Sequence, residues 1–267
     1  MTASQARIVI GLPAFNEGPN IDPLFEKIAA VRKTHLPRLS VLIYNDGSKD
    51  DTAARARAWN GRDGMTVRVI GLEQNRGLGV AMWSLIEDFT SDAWGGQPGA
   101  DYLGVMDCDD TMDPMQLLRM WKVAEVNGRD LVIASRYRPA ATINGVVFHR
   151  RVMSQGAGLL FKLMHPISGV RDYSCGYRLY HRRLLKNAVD SWGRNLIAEK
   201  GFASMVELLL KLGKMPDAQV GEIPLQLNYQ QKRGASKMQV GDNATRLLKL
   251  AWRWRQEGLI PPAKAAT

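Results

Sequence analysis

The chain predicts an α/β fold: a doubly wound, mostly parallel sheet flanked by helices, with an amphipathic helix at its C-terminal end. Two observations carry this. Short apolar runs alternate with helix-patterned segments through the first half, the rhythm of repeated βαβ units. Several of these runs end in turns rich in Asn, Asp and Gly, as expected of loops at the carboxyl edge of an open sheet, where such folds bind ligands.

Residues 7–12 read as the first strand, and the loop 13–20 delivers Asn20 as N-cap of a helix to about Lys33, with Leu24, Ile28 and Val31 at helical spacing. Residues 39–44 form the second strand, whose turn at 45–52 caps a helix over 53–59. Residues 65–72 form the third, after which the glycines at 77 and 79 open a helix to about Phe89. The fourth strand is 102–106, with a helix from Pro114 to about 126 behind it, and the fifth is 131–134. Beyond Arg136 the pattern loosens into a loop at 138–149, a helix at 150–164 and a short strand at 177–180. A helix at 198–212, a strand at 220–229 and a helix at 242–257 complete the reading.

A chain of 267 residues, 45% apolar and 23% charged, has the composition of an ordinary folded protein with a sizeable core. No run approaches the roughly 20 apolar residues of a membrane span, and the N-terminus lacks a signal peptide's apolar stretch. Cys108 and Cys175 give no disulfide framework, which points to a reducing cytoplasm. The net charge of +10 is uneven. Residues 1–133 carry 14 Lys and Arg against 18 Asp and Glu, whereas residues 134–267 carry 22 against 8. A basic second half asks for a polyanionic partner, whether phosphate, an anionic membrane surface or nucleic acid.

Chemistry concentrates just past the fourth strand, in Asp107-Cys108-Asp109-Asp110-Thr111. Two carboxylates at i and i+2 beyond a strand end can hold one hard divalent cation, which in turn can hold a diphosphate. A solvated turn capping the next helix is the alternative use of the same residues. The literal Asp-x-Asp-x-Thr also matches haloacid-dehalogenase phosphatases, where Asp107 would be the nucleophile. That signature follows the first strand of its domain, however, and three strands precede it here. No Gly-x-Gly-x-x-Gly follows the first strand, against a nicotinamide-dependent dehydrogenase, and no nucleic-acid-binding motif accompanies the basic half. His35, His149, His165 and His181 sit in no catalytic constellation. Glu207, mid-helix among apolar residues, is expected either to be functional or to pair with an arginine.

Seven motifs occur in order: Leu12-Pro13-Ala14-Phe15-Asn16-Glu17, Asn45-Asp46-Gly47-Ser48, Asn75-Arg76-Gly77-Leu78-Gly79, Asp107-Cys108-Asp109, Ala134-Ser135-Arg136-Tyr137, Asp172-Tyr173-Ser174-Cys175-Gly176-Tyr177-Arg178 and Gly234-Ala235-Ser236-Lys237-Met238. By these motifs the chain resembles family 2 glycosyltransferases of the GT-A fold, and within them the dolichol- or polyprenyl-phosphate mannosyltransferase branch, over residues 7–240. The resemblance implies a GT-A-type, Rossmann-like sheet and an inverting transfer of a sugar, mannose or glucose. The donor would be a GDP- or UDP-sugar, the acceptor a polyprenyl or dolichyl phosphate at the cytoplasmic membrane face, and the cofactor Mg²⁺ or Mn²⁺. A family member with a non-lipid acceptor is the alternative.

On the same resemblance, Pro13, Phe15, Glu17, Asp46, Asp107 and Cys108 cradle the nucleotide, and Asp107 and Asp109 hold the metal. Asp107, Asp109 and Arg136 are the catalytic residues. Arg136, Asp172, Arg233, Ser236 and Lys237 meet phosphate or acceptor, with Lys232 beside them, and Gly176 lets backbone approach substrate. Residues 1–136 would be a nucleotide-binding half, 137–240 an acceptor-binding half, and 241–267 a basic helix and tail. Thr111 and Gln231 depart from the pattern, standing where the family usually has Gln and Arg.

A lipid monophosphate, with a second pKa of about 6, is largely ionised at pH 7 and needs no strong general base. The task is to bring two anions together, which calls for cations. Membrane contact would fall to 150–164 and 246–254, where Leu247, Leu248, Leu250, Trp252 and Trp254 interleave with Arg246, Lys249, Arg253 and Arg255. The same pattern suits a packing helix with a basic outer face.

Overall fold

Strands β1 (Ile8–Ala14), β2 (Leu39–Asp46), β3 (Val67–Leu72), β4 (Tyr102–Val105), β5 (Leu131–Ser135), β7 (Arg178–His181) and β8 (Val220–Pro224) make one sheet in the computed structural model. The structure describes residues 5–91, 100–145, 160–231, 233, 240–259 and 261. Strand order is β3-β2-β1-β4-β7-β5-β8. β1 to β4 pair in parallel, as do β5 and β8, while β7 runs antiparallel to both β4 and β5. Because β4 and β5 each oppose β7, they point the same way. The carboxyl ends of β1, β2, β4 and β5 therefore share one edge, and the segment entering β7 arrives at that edge as well.

The sheet is flanked by α1 (Gly18–Thr34), α2 (Thr52–Ala58), α3 (Leu78–Thr90), α4 (Gln116–Asn127), α5 (Arg182–Trp192), α6 (Ala203–Gly213) and α7 (Val240–Glu257). Ile8, Val9, Ile10 and Leu12 of β1 are fully buried, as a strand covered on both faces requires. They join one apolar cluster with Leu24 and Ile28 of α1, Leu85 and Phe89 of α3, and Leu208 to Leu210 of α6.

Several expectations from sequence are corrected. α1 begins at Gly18, so Asn20 lies inside the helix rather than at its cap, and its side chain is engaged elsewhere. α4 begins two residues after Pro114. The expected strand at 220–229 is two strands with a corner between them. Leu225 N donates to Ser135 O in the main sheet, and Leu225 O accepts from Thr142 N, so β9 (Gln226–Asn228) departs to pair with β6 (Thr142–Asn144) in the expected loop. α5 was not expected, because its cationic N-terminal end masks the buried face Leu184, Leu185, Ala188 and Trp192. Residues 198–202 are loop rather than helix, since Ala198 N and Glu199 N donate to the Glu207 carboxylate. Of the expected 150–164 helix, 160–164 is helical and the remainder lies outside the described residues.

α7 packs on this body through Leu247, Leu250, Ala251 and Trp254, all buried. Trp254 meets the Phe161 ring at 6.4 Å, and His165 Nε2 lies 3.0 Å from Ala251 O. No helix among the described residues is long and apolar enough to cross a membrane. Burial, with Lys214 and Arg255 nearby, lowers the pKa of His165 despite its bond to Ala251 O. A base with a depressed folded pKa adds stability above its unfolded value, about 6.5, and loses it as pH falls toward the folded value. The urea midpoint should therefore drop between pH 7.5 and pH 5, and His165→Gln should flatten that dependence. An unchanged slope in the variant would mean that His165 is not a source of it.

Candidate active site

The loops leaving β1 and β2 are stitched to each other through short polar side chains. Asn16 N donates to Ser48 Oγ at 2.9 Å and Lys49 N to Asn16 Oδ1 at 2.8 Å. Glu17 N donates to Thr52 Oγ1 at 2.8 Å, and Gly18 N to Asp50 Oδ2 at 3.0 Å. These bonds fix the backbone that carries Pro13, Phe15 and Glu17, all half-buried at the rim. Glu17 also accepts from Asn20 Nδ2 at 2.7 Å.

Asp46, at the end of β2, is buried, and its two oxygens accept from Arg76 N at 2.7 Å and Gly77 N at 2.8 Å. The carboxylate thus organises the turn into α3, a use that the sequence did not show. Gly77 has φ +89°, and a Cβ there would lie 2.8 Å from Lys200 O. Gly79 N donates to the same Lys200 O at 2.8 Å, so the turn into α3 rests on the loop before α6. That loop is held in turn by Glu207. Its Oε2 accepts from Ala198 N and Glu199 N, and its Oε1 from Lys211 Nζ at 2.6 Å. The partner of Glu207 is a lysine one turn on rather than an arginine.

The acidic turn follows β4 directly. Asp107 is exposed, whereas Cys108, Asp109, Asp110 and Thr111 are buried. Thr111 Oγ1 donates to Asp109 Oδ1 at 2.6 Å, and Thr111 N reaches the same oxygen at 3.2 Å. The residue that departs from the family pattern therefore orients the second carboxylate. Asn228 N donates to Thr111 O at 2.9 Å, and Lys27 Nζ to Asp110 Oδ1 at 2.7 Å. Among the described residues, no three of His, Cys, Asp and Glu cluster as a closed metal site. Asp107 and Asp109 are hard oxygen donors of the type that suits Mg²⁺ or Mn²⁺.

Arg136 and Asp172, both expected at phosphate or acceptor, pair with each other. Arg136 Nε and Nη2 donate to the two Asp172 oxygens at 2.8 and 2.7 Å, Arg136 N adds a third bond at 2.9 Å, and Nη2 reaches Ser174 Oγ at 2.5 Å. Burial opposes both charges, yet each partner overrides it. Asp172 is held below the usual carboxylate range, and Arg136 stays charged. Asp172 also accepts from Ser174 N and Cys175 N, shaping the turn into Gly176, where a Cβ would lie 3.7 Å from Asp107 Oδ1. Burial pushes the neighbouring Cys175 thiol up to about 12. Arg178, whose role sequence reasoning missed, is wholly buried and donates to Met205 O at 2.6 Å and Tyr173 O at 2.9 Å. Its place in a motif was the only signal.

Asn20 holds the backbone of Arg233 at both ends, donating to Arg233 O and accepting from Arg233 N, each at 3.0 Å. Ser236, Lys237 and Lys232 lie outside the described residues. The loops after β1, β2, β4 and β5, and the segment entering β7, thus bring Phe15, Glu17, Asp46, Asp107, Asp109, Arg136 and Asp172 to one sheet edge.

Known proteins resemble this chain along most of its length. The family model described as glycosyl transferase family 2 matches residues 9–188. A polyprenol monophosphomannose synthase of Mycolicibacterium smegmatis is 28% identical over 264 residues, covering 97% of this chain and 90% of the relative. An undecaprenyl-phosphate mannosyltransferase of Micrococcus luteus is 29% identical over 258 residues, covering 95% and 97%. Among solved structures, glucosyl-3-phosphoglycerate synthase from Mycobacterium tuberculosis, in complex with Mn²⁺, UDP and glucosyl-3-phosphoglycerate, superposes with a TM-score of 0.62 at 21% identity, covering 97% of this chain and 82% of that one. That likeness gives the fold, the GT-A type of α/β architecture. With the family model matching well over half of its length, the chain belongs to glycosyl transferase family 2.

Proposed function

We propose that this glycosyltransferase moves a hexose, mannose or glucose, from a GDP- or UDP-sugar to a polyprenyl or dolichyl phosphate at the cytoplasmic membrane face. The observation that carries the reading is the turn Asp107–Thr111. An exposed carboxylate and a second one aimed by a threonine stand where the loops after β1 and β2 converge. The relatives named for transfer to polyprenyl phosphates supply the acceptor class.

In this reading residues 1–136 bind the nucleotide, 137–240 receive the acceptor, and 241–267 contribute the basic helix and tail. Pro13, Phe15, Glu17 and the turn held by Asp46 form the nucleotide cradle, with Asp107 and Cys108 at its phosphate end. Asp107 and Asp109 would hold the Mg²⁺ or Mn²⁺, which supplies electrostatic stabilisation of the departing diphosphate. The acceptor phosphate is already anionic and attacks the anomeric carbon. The C–O bond to the diphosphate breaks with its electron pair retained on that oxygen, which inverts the centre. Gly176 leaves open the space beside Asp107 that a side chain would narrow. Arg136 and Asp172 hold the segment carrying it, Arg233 and Lys237 bring positive charge to the acceptor, and Ser236 offers it a hydroxyl.

The lipid acceptor calls for a surface that meets a bilayer. Trp252 is 61% and Leu163 is 71% exposed, and Arg255 Nη1, donating to Met164 O at 3.3 Å, joins their two helices. Lys249, Trp252 and Arg255 follow one another at i, i+3 spacing, a stripe of cations around an indole that suits the headgroup zone.

Two outcomes are expected. Calorimetric titration should show one of GDP and UDP binding in the presence of Mn²⁺ or Mg²⁺, and Asp109→Asn should lose that cation dependence and at least about a hundredfold in transfer rate at unchanged melting temperature. Full turnover by the variant would remove the acidic turn from the mechanism. Trp252→Ala should weaken sedimentation with anionic liposomes severalfold without changing nucleotide binding; equal sedimentation would leave α7 a packing helix only.

A further inference from the structure

α1 does more than cover the sheet. Asn20 and Lys27 stand seven residues apart, two helical turns, on one face of it. Asn20 grips both ends of the Arg233 residue. Lys27 Nζ donates to Asp110 Oδ1 at 2.7 Å and to Gln231 Oε1 at 3.2 Å. One helix therefore holds Gln231 and Arg233, and through Lys27 it holds the acidic turn too.

The charges make the lysine more than a tether. Asp107, Asp109 and Asp110 place three carboxylates within four residues, and the last two are buried. A divalent cation is matched by two of them. The third requires its own counter-charge, because a buried carboxylate beside two others is destabilised both by desolvation and by repulsion. Asp110 also has a left-handed φ of +61°, a conformation that Asp adopts more readily than most non-glycine residues. Its side chain is 6% exposed and that of Lys27 36%, so the pair is shielded on the carboxylate side while its ammonium reaches solvent.

We propose that Lys27 is a positioning residue for donor binding: it cancels the third carboxylate of the acidic turn, leaving Asp107 and Asp109 to face the donor's diphosphate and cation. This rests on the transferase reading above. In this role Lys27 acts through Asp110.

A charge cycle tests it, using Lys27→Met, Asp110→Asn, the double variant, and Lys27→Arg. The affinity of the nucleoside diphosphate that the wild type binds, GDP or UDP, is measured by calorimetry with and without Mn²⁺, alongside urea unfolding of the unliganded proteins. Lys27→Met should bind the nucleotide about tenfold more weakly in Mn²⁺. The double variant should recover to within about threefold of wild type, because the orphaned carboxylate is gone. Lys27→Arg should stay near wild type. Without ligand, the double variant should unfold at higher urea than Lys27→Met. Equal affinity for wild type and Lys27→Met would overturn the proposal. So would a double variant as weak as Lys27→Met, which would mean that the ammonium meets the ligand directly. A wild type that binds neither nucleotide with any cation would defeat the transferase reading instead. In that case, equal urea midpoints for Lys27→Met and the double variant would also overturn the charge-cancelling role.

Discussion

A carboxylate with no exposed surface, Asp172, sits where the second half of the molecule is joined to the first. It accepts five hydrogen bonds, three from Arg136 and two from the backbone of Ser174 and Cys175. Glu222 of β8 fixes it from behind, accepting from Arg171 N and Asp172 N. A buried ion pair contributes little net stability when complete, but removing one partner costs about 3–5 kcal/mol, because the other is left charged in a dry site. The energetic asymmetry makes the pair a device for shape. It forces the chain from Asp172 to Gly176 into one path, delivers β7 antiparallel between β4 and β5, and sets Gly176 beside Asp107.

The loop after β1, the turn into α3 and the loop before α6 use the same device, side-chain acids binding backbone amides. Asp46 takes the amides at 76 and 77, Asp50 that of Gly18, and Glu207 those at 198 and 199. These three loops are thereby held by acids from neighbouring elements.

Much of the architecture was legible from sequence, because in the βαβ half local pattern and final environment coincide. Strands buried on both faces must be apolar throughout, and β1, β2, β4 and β5 read as such. Legibility failed where partners are remote in the chain. Nothing local marks Pro224-Leu225 as a corner, since the decisive bonds go to Ser135 and Thr142. The same holds in the site. Asp107 and Asp109 stood out because their meaning lies in their spacing. The use made of Asp46, the pairing of Arg136 with Asp172 and the reach of Lys27 to Asp110 depend on contacts across many residues, and a single sequence does not encode these visibly.

The seat of the C-terminal helix carries a further consequence. Its contacts are to Phe161, His165 and Glu199, the last through Arg253 Nη2 at 3.1 Å. Glu199 belongs to the loop on which the turn into α3 rests. In a lineage that exchanges, shortens or extends this helix, the unit that evolves is therefore larger than the helix. A change at position 253 or at position 199 alone would break the ion pair between them. The C-terminal helix is thereby linked to the turn into α3, although more than a hundred residues separate the two in the chain.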